Sequence, residues 1–139
     1  MKSINLLLRI KKQEVDAQQI KLKQLNAQIE VLEDKLKELY EEIASERSLA
    51  QGSTSTHFAY LEYLKNTEMK KKKLLDDIRR IEHIRNEEQD TFHRLYSDFK
   101  SVDIYRQQKI TQTKKKKDKI EEIIMDEAAL NRFYRKKSH

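Results

Sequence analysis

Apolar residues recur along the first part of the chain at alternating spacings of three and four. One register runs without interruption from residue 4 to residue 50, and 11 of its 14 positions are apolar. These positions, the seam, are Ile4, Leu8, Lys11, Val15, Gln18, Leu22, Leu25, Ile29, Leu32, Leu36, Leu39, Ile43, Glu46 and Ala50. A 3.5-residue repeat sustained over this length is typical of a left-handed coiled coil. The pattern predicts a first helix over about 3–50 that packs against another helix.

The heptad pattern ends at a run of small polar residues, Gln51-Gly52-Ser53-Thr54-Ser55-Thr56-His57. Because Gly, Ser and Thr all disfavour helix interiors, this run predicts a turn over 51–57 rather than a frayed patch in one continuous helix. Gly52 suits the left-handed position that follows many helix C-termini. Ser55 or Thr56 is placed to cap the next helix by accepting a backbone N–H.

A second heptad-like register runs from Tyr60 to Tyr134 and is apolar at 13 of its 22 positions. Its polar interruptions cluster at 67–71, at 85–88 and above all at 106–116. No helix-breaking residue occurs after the turn. The second helix is therefore expected to be much longer than the first.

These patterns predict an all-α fold, a long antiparallel two-helix coiled-coil hairpin with an overhanging C-terminal helix. We expect one domain over 1–139, with the second helix at about 57–134. A turn near residue 54 would place Ile43 near Leu64. Pairing would then end near residue 104, so the segment 105–134 would have no partner within the chain.

The expected overhang nevertheless carries many apolar side chains. They are Ile110, Ile120, Ile123, Ile124, Met125, Ala128, Leu130, Phe133 and Tyr134. An exposed apolar stripe of this length on a helix favours a binding partner. A heterologous partner is the favoured interpretation, and a structural dimer built through 105–134 or a frayed segment are the alternatives.

Composition fits this class and excludes several others. The 139 residues include one Gly, no Pro and no Cys, and 39% are charged. So few turn-forming residues leave little room for a mixed or all-β fold, and the lack of Cys excludes disulfides and thiol catalysis. No apolar run approaches the roughly 18 residues of a membrane helix, so we expect a cytoplasmic protein without membrane insertion.

No residue pattern points to an enzyme. A two-helix hairpin lacks the concave, water-shielded site that catalysis requires, and one Gly cannot build a phosphate-binding loop. His57, His83, His93 and His139 do not have the spacing of metal ligands. We therefore expect no catalytic residues, no cofactor and no metal site.

The positive charge is concentrated in the expected overhang. The net charge is +6, and residues 103–139 contribute +5 of it, with 11 basic and 6 acidic side chains. Lys70–Lys73 and Lys114–Lys117 make a nucleic-acid-binding hairpin an alternative function. Acidic residues stand beside both runs, however, and mixed charge favours a solvated or protein-binding face. No nucleic-acid partner is expected.

Aromatic residues gather near the turn. Tyr40, Phe58, Tyr60 and Tyr63 fall within about three helical turns of it. Tyr60 belongs to the seam register, whereas Tyr40 and Tyr63 lie outside it and are expected to be partly exposed. Exposed aromatic side chains favour recognition, and ordinary packing beside the seam is the alternative.

Three segments resemble the FliJ family, small coiled-coil stalk proteins of the bacterial flagellar type III export apparatus, with injectisome counterparts as more distant relatives. The first is Leu6-Leu7-Leu8-Arg9-Ile10-Lys11-Lys12 at the N-terminus. The second, Phe58-Ala59-Tyr60-Leu61-Glu62-Tyr63-Leu64, opens the second helix, and the third is Asp126-Glu127-Ala128-Ala129. The chain departs from the family at Ile4, where many members have Phe.

The resemblance implies a non-enzymatic stalk at the cytoplasmic face of the membrane-embedded export apparatus. The coil with both termini would insert into the hexameric, FliI-like export ATPase, much as the γ subunit does in rotary ATPases. The bend would contact the FlhA-like export gate protein, and export chaperones are further implied partners.

The family's roles fall on two sets of residues in this sequence. The gate- and chaperone-binding residues at the bend would be Tyr40, Tyr60, Tyr63 and Leu64. The ATPase-ring-binding residues of the terminal coil would be Arg106, Lys109, Lys116, Ile120, Ile123, Glu127, Leu130 and Tyr134.

Overall fold

The computed structural model describes residues 1–52 and 54–137. Helix α1 spans Lys2–Leu49, a short 3₁₀ helix follows at Ala50–Gly52, and helix α2 spans Thr54–Lys137. No strand occurs in the two described ranges. The prediction of an all-α fold built from two long helices is confirmed.

Both helices are long because the sequence contains almost nothing that ends a helix. Proline is absent, and the only glycine of the chain is Gly52. Arg47 lies in the last turn of α1, and Arg135, Lys136 and Lys137 lie in the last turn of α2. Positive charge at these ends is favourable because the helix dipole is negative there.

The bend differs from the sequence prediction in two respects. The sequence predicted a turn over 51–57, whereas Gln51 and Gly52 belong to the 3₁₀ helix; the left-handed conformation of Gly52 stays a prediction. Ser55 and Thr56, predicted as candidate caps, lie inside the first turn of α2. Ser and Thr are tolerated there because the first helical N–H groups lack intrahelical partners in any case. Ser53, also predicted in the turn, lies outside the described residues.

The contacts divide the chain into two units, which are described separately. One is Glu14–Leu95, and the other combines Met1–Gln13 with Tyr96–His139. In Glu14–Leu95, every α1 side chain that is not exposed occupies a predicted seam position, and of those positions in α1 only Glu46 is exposed. The predicted register of α1 is therefore confirmed for this unit.

The core of Glu14–Leu95 is a narrow apolar layer between α1 and α2. Its most buried side chains are Val15, Ile29, Leu39, Thr67 and Ile78. The predicted α2 register from position 60 to position 95 contains no exposed residue. The small apolar content of the chain is thus sufficient, because two helices need only one shared stripe.

Cross-helix contacts in this unit show that the two helices are antiparallel. The Gln18 side chain donates hydrogen bonds to the Glu88 backbone carbonyl at 2.9 Å and to its carboxylate at 2.6 Å. Further along α1, Tyr40 lies beneath the Lys71 ammonium, 5.3 Å from the ring centroid. The partner's number falls as the α1 number rises, as antiparallel pairing requires.

The second unit pairs the start of α1 with residues of α2. The Lys12 ammonium lies 5.9 Å from the centroid of the Phe99 ring. Arg106 Nε donates a hydrogen bond to Asn5 Oδ1 at 2.7 Å. Beyond Arg106, every described residue from 107 to 137 is exposed. The predicted overhang of the C-terminal helix is therefore confirmed.

Candidate functional site and interaction surfaces

Two surfaces carry the residues that the sequence singles out. The bend surface comprises residues 58–68 of α2 together with Tyr40 of α1, and all of them lie within Glu14–Leu95. The terminal surface comprises residues 107–137 of α2 in the other unit. Both surfaces consist of side chains carried by the two long helices.

A pair of tyrosine rings forms the centre of the bend surface. The rings of Tyr60 and Tyr63 are stacked, with centroids 6.4 Å apart and planes inclined by 27°. Both side chains are half-buried, as is Leu64. These three predicted residues are therefore close together on one short stretch of α2, held by the seam below them.

Tyr40 occupies a different place on this surface. Its side chain is 46% exposed, and its ring lies under the Lys71 ammonium in a cation–π contact. This contact fixes the ring on the outside of the helix pair. The prediction that Tyr40 lies at least partly exposed is confirmed.

The hydroxyl of Tyr63 is buried, although the residue as a whole is only half-buried. It makes no hydrogen bond of good geometry to any described residue. Burial raises the pKa of Tyr63 most, and the nearby Glu42 carboxylate raises it further; Thr67 lowers it, and Glu46 adds a smaller increase. The ring is thus partly available for contact, whereas its polar end is enclosed.

An exposed apolar groove on α2 adjoins the tyrosine pair. It is lined by Phe58, Leu61, Glu62, Leu64, Lys65 and Glu68. Phe58 is 67% exposed and Leu61 43% exposed. The sequence prediction of site residues missed both, although Phe58, Leu61 and Lys65 follow the i, i+3, i+7 spacing of one helix face.

The terminal surface combines apolar and charged side chains, with basic residues in excess over acidic ones. Seven of the eight predicted ring-binding residues are exposed, namely Lys109, Lys116, Ile120, Ile123, Glu127, Leu130 and Tyr134. Ile123 is 49% exposed and Leu130 54% exposed. The eighth, Arg106, is half-buried and bonded to Asn5, so it closes the paired segment instead of projecting from the overhang.

Aromatic and basic side chains are combined near the end of this surface. The rings of Phe133 and Tyr134 meet edge to face at 6.1 Å, and the Lys137 ammonium lies 5.7 Å from the Phe133 centroid. Both rings are more than half exposed. Ile124, Met125 and Phe133 are exposed apolar neighbours that the predicted residue set leaves out.

The described residues were compared with the requirements of a metal site and of a membrane-spanning helix. Across residues 1–52 and 54–137, no group of three or more His, Cys, Asp or Glu side chains is arranged to hold a metal ion. Neither helix, over the same ranges, contains a segment long and apolar enough to cross a membrane.

Comparison with known proteins gives one match. Residues 1–138 match the family described as flagellar FliJ protein. No curated protein and no solved structure gave a significant match. Since the family match covers nearly the whole chain, the chain belongs to the flagellar FliJ protein family and is a component of the flagellar protein export apparatus.

Proposed function

We propose that this chain is a non-enzymatic stalk whose terminal surface inserts into the hexameric ATPase of the flagellar export apparatus. The observation that carries the proposal is the continuous exposure of α2 from residue 107 to residue 137. Isoleucine, leucine and aromatic side chains in this segment are left in water. Covering them with a partner would be favourable because apolar area is removed from water.

Charge and shape also support a ring-shaped partner. Residues 103–139 carry a net charge of +5. Lys114–Lys117 extend over just over one helical turn, so they point in several directions around the helix. A helix that is charged on all sides suits an opening lined with acidic groups better than a flat surface.

The bend surface is proposed to bind the export gate protein, and export chaperones are its second candidate partners. Tyr60 and Tyr63 form a stacked pair, and the adjoining groove exposes Phe58 and Leu61. Rigid aromatic side chains next to an apolar groove are typical of interface anchors. Acting between an ATPase and a gate would place the protein peripherally at the cytoplasmic face of the membrane.

The test is stimulation of the cognate export ATPase. The wild-type chain is expected to raise the rate of ATP hydrolysis and to promote ring assembly. The double substitution Ile123→Glu and Leu130→Glu should remove most of this effect, because it places carboxylates in the apolar stripe. Both side chains are about half exposed, so helicity and melting temperature should not change.

Met69→Glu is the matched control for this experiment. Met69 also lies on α2 and is 74% exposed, but it belongs to the other unit. Its substitution should leave ATPase stimulation intact. If the folded wild-type chain fails to stimulate the ATPase, or if Met69→Glu is as damaging as the double variant, the terminal surface is not the ring-binding element.

A further inference from the structure

The outer face of α1 carries a second heptad stripe that the hairpin does not use. Within Glu14–Leu95 its positions, the outer stripe, are Ala17, Ile20, Gln24, Ala27 and Val31. Their spacing alternates between three and four, and all five are exposed. Ile20 is 58% exposed and Val31 53% exposed. Such a repeat is what a helix presents to a coiled-coil partner.

The absence of charge distinguishes this stripe from the rest of the surface. The chain is 39% charged, yet none of the five positions carries a charge. In the sequence, the same uncharged spacing continues upstream at Leu6, Ile10 and Gln13. Ala27 and Val31 also line an apolar groove that includes Ile81 of α2. An ordinary solvated face would be expected to contain lysine or glutamate at some of these positions.

The residues beside the stripe match a second copy of the same helix. In a parallel coiled coil, a residue on one flank faces the residue five positions later on the partner, and opposite charges there select the partner and its orientation. The pairs that flank the stripe would be Asp16–Lys21, Lys23–Gln28 and Glu30–Lys35. Two of these pairs join opposite charges, and none joins like charges. Lys21 also bonds Glu88 at 2.9 Å in the hairpin, so it would be shared between two carboxylates.

Gln24 adds an independent argument for a parallel, in-register pair. It lies in the middle of the outer stripe, between Ile20 and Ala27. In such a pair, the two Gln24 side chains would face each other, and each amide supplies both a donor and an acceptor. A polar side chain within an apolar seam favours the register in which it meets a polar partner, at a cost in stability.

We propose that α1 binds a second copy of this chain through the outer stripe, as a parallel and in-register pair of α1 helices. The stripe is short and contains two alanines, so the association is weak and concentration-dependent. It uses neither the bend surface nor the terminal surface. Self-association is thus an activity separate from the proposed stalk function, and it provides a way to bring two export components together.

Disulfide cross-linking of the full chain tests the orientation. The sequence has no Cys, so one introduced cysteine reports one position. A parallel, in-register pair brings the two copies of residue 27 within disulfide range, and Ala27→Cys should therefore form a covalent dimer on mild oxidation. Gln19→Cys is the matched control, because Gln19 is exposed on another face of α1. The Gln19→Cys chain should form several-fold less covalent dimer than the Ala27→Cys chain. Equal cross-linking at both positions would overturn the proposal.

Sedimentation equilibrium of the cysteine-free chain tests the association itself. The average mass should rise above the 16.8 kDa of one chain as concentration increases. Ile20→Glu with Val31→Glu should hold the mass at one chain, while ATPase stimulation and helicity stay as in the wild type. Leu130→Glu should leave the association unchanged. A constant mass of one chain, or loss of association in Leu130→Glu alone, would refute self-binding through α1, and association without cross-linking at residue 27 would refute the parallel register.

Discussion

The two parts of α2 differ in what covers their apolar residues. Between Thr54 and Leu95, the predicted register is buried or half-buried against α1. Between residues 107 and 137, the same helix type and a comparable set of apolar side chains lie in water. A heptad pattern therefore identifies an apolar stripe but not its partner. The partner depends on whether another segment of the chain lies alongside.

The largest expected effect is the difference in stability between substituting a buried isoleucine and substituting an exposed one. Ile29 is 4% exposed and Ile123 is 49% exposed. Ile29→Ala should lower the free energy of unfolding by about 2–4 kcal/mol, because it removes packed methyl groups and leaves a cavity. Ile123→Ala should change it by no more than about 0.5 kcal/mol, as is usual at exposed sites.

Thermal and urea unfolding followed by circular dichroism would measure both changes. A large loss in Ile123→Ala would mean that the overhang packs against something in the isolated protein, for instance a second copy. In that case the exposed stripe would already be occupied. It would not be available for the export ATPase.

Much of the paired region could be read from the sequence. The α1 register from residue 15 to residue 43 is reproduced position by position, because a coiled-coil seam depends mainly on period and polarity. The polar seam position Gln18 of α1 also has a polar partner, because it bonds Glu88, which belongs to the polar interruption at 85–88 of α2. A polar layer is tolerated when its members bond each other.

Three local features could not be predicted. The first is the 3₁₀ helix that ends at Gly52, because the exact boundaries of helices are poorly determined by the sequence pattern. Thr67 counts as a polar interruption, yet it is only 3% exposed, because its hydroxyl donates to the Tyr63 backbone carbonyl at 2.7 Å. The groove beside Phe58 and Leu61 depends on how neighbouring side chains of α2 pack, although the seam register already places both residues outside the seam.

A smaller effect is expected at the buried end of Tyr63, where the paired region meets the bend surface. Tyr63→Phe removes a buried hydroxyl that has no hydrogen bond of good geometry. It should leave stability unchanged or raise it slightly, because an unsatisfied buried polar group is unfavourable. Tyr40→Phe is the control, since Tyr40 is 46% exposed and should tolerate the change without effect.

The titration of Tyr63 gives a second measurement on the same residue. Because its pKa is raised, chiefly by burial, the folded state favours the neutral phenol. That contribution to stability is present below the ordinary tyrosine pKa, about 10, and is lost as the pH rises through the raised value. The tyrosinate absorbance that appears above the ordinary tyrosine pKa should be smaller in Tyr63→Phe than in the wild type. Loss of stability in that variant would mean that the hydroxyl is bonded.

The smallest expected effect concerns the polar layer of the paired region. Glu88 accepts hydrogen bonds from Gln18 and from Lys21, and these bonds lower its pKa in that order of importance. A lowered pKa means that the folded state favours the carboxylate. The resulting stability is present above the ordinary glutamate pKa, about 4.3, and is lost as the pH falls through the lowered value.

Glu88→Gln should therefore reduce the melting temperature at neutral pH and have less effect in acid, where wild type and variant converge. Glu87→Gln is the matched control, because Glu87 is exposed and pairs only with His83 on its own helix, at 3.1 Å, among the described ion pairs. It should change the melting temperature little at either pH, as expected for a surface pair. A Glu88→Gln deficit that persists unchanged in acid would show that the amide fails to pack in the layer. The contribution of Glu88 to stability would then come from the packing of its side chain and not from the charge of its carboxylate.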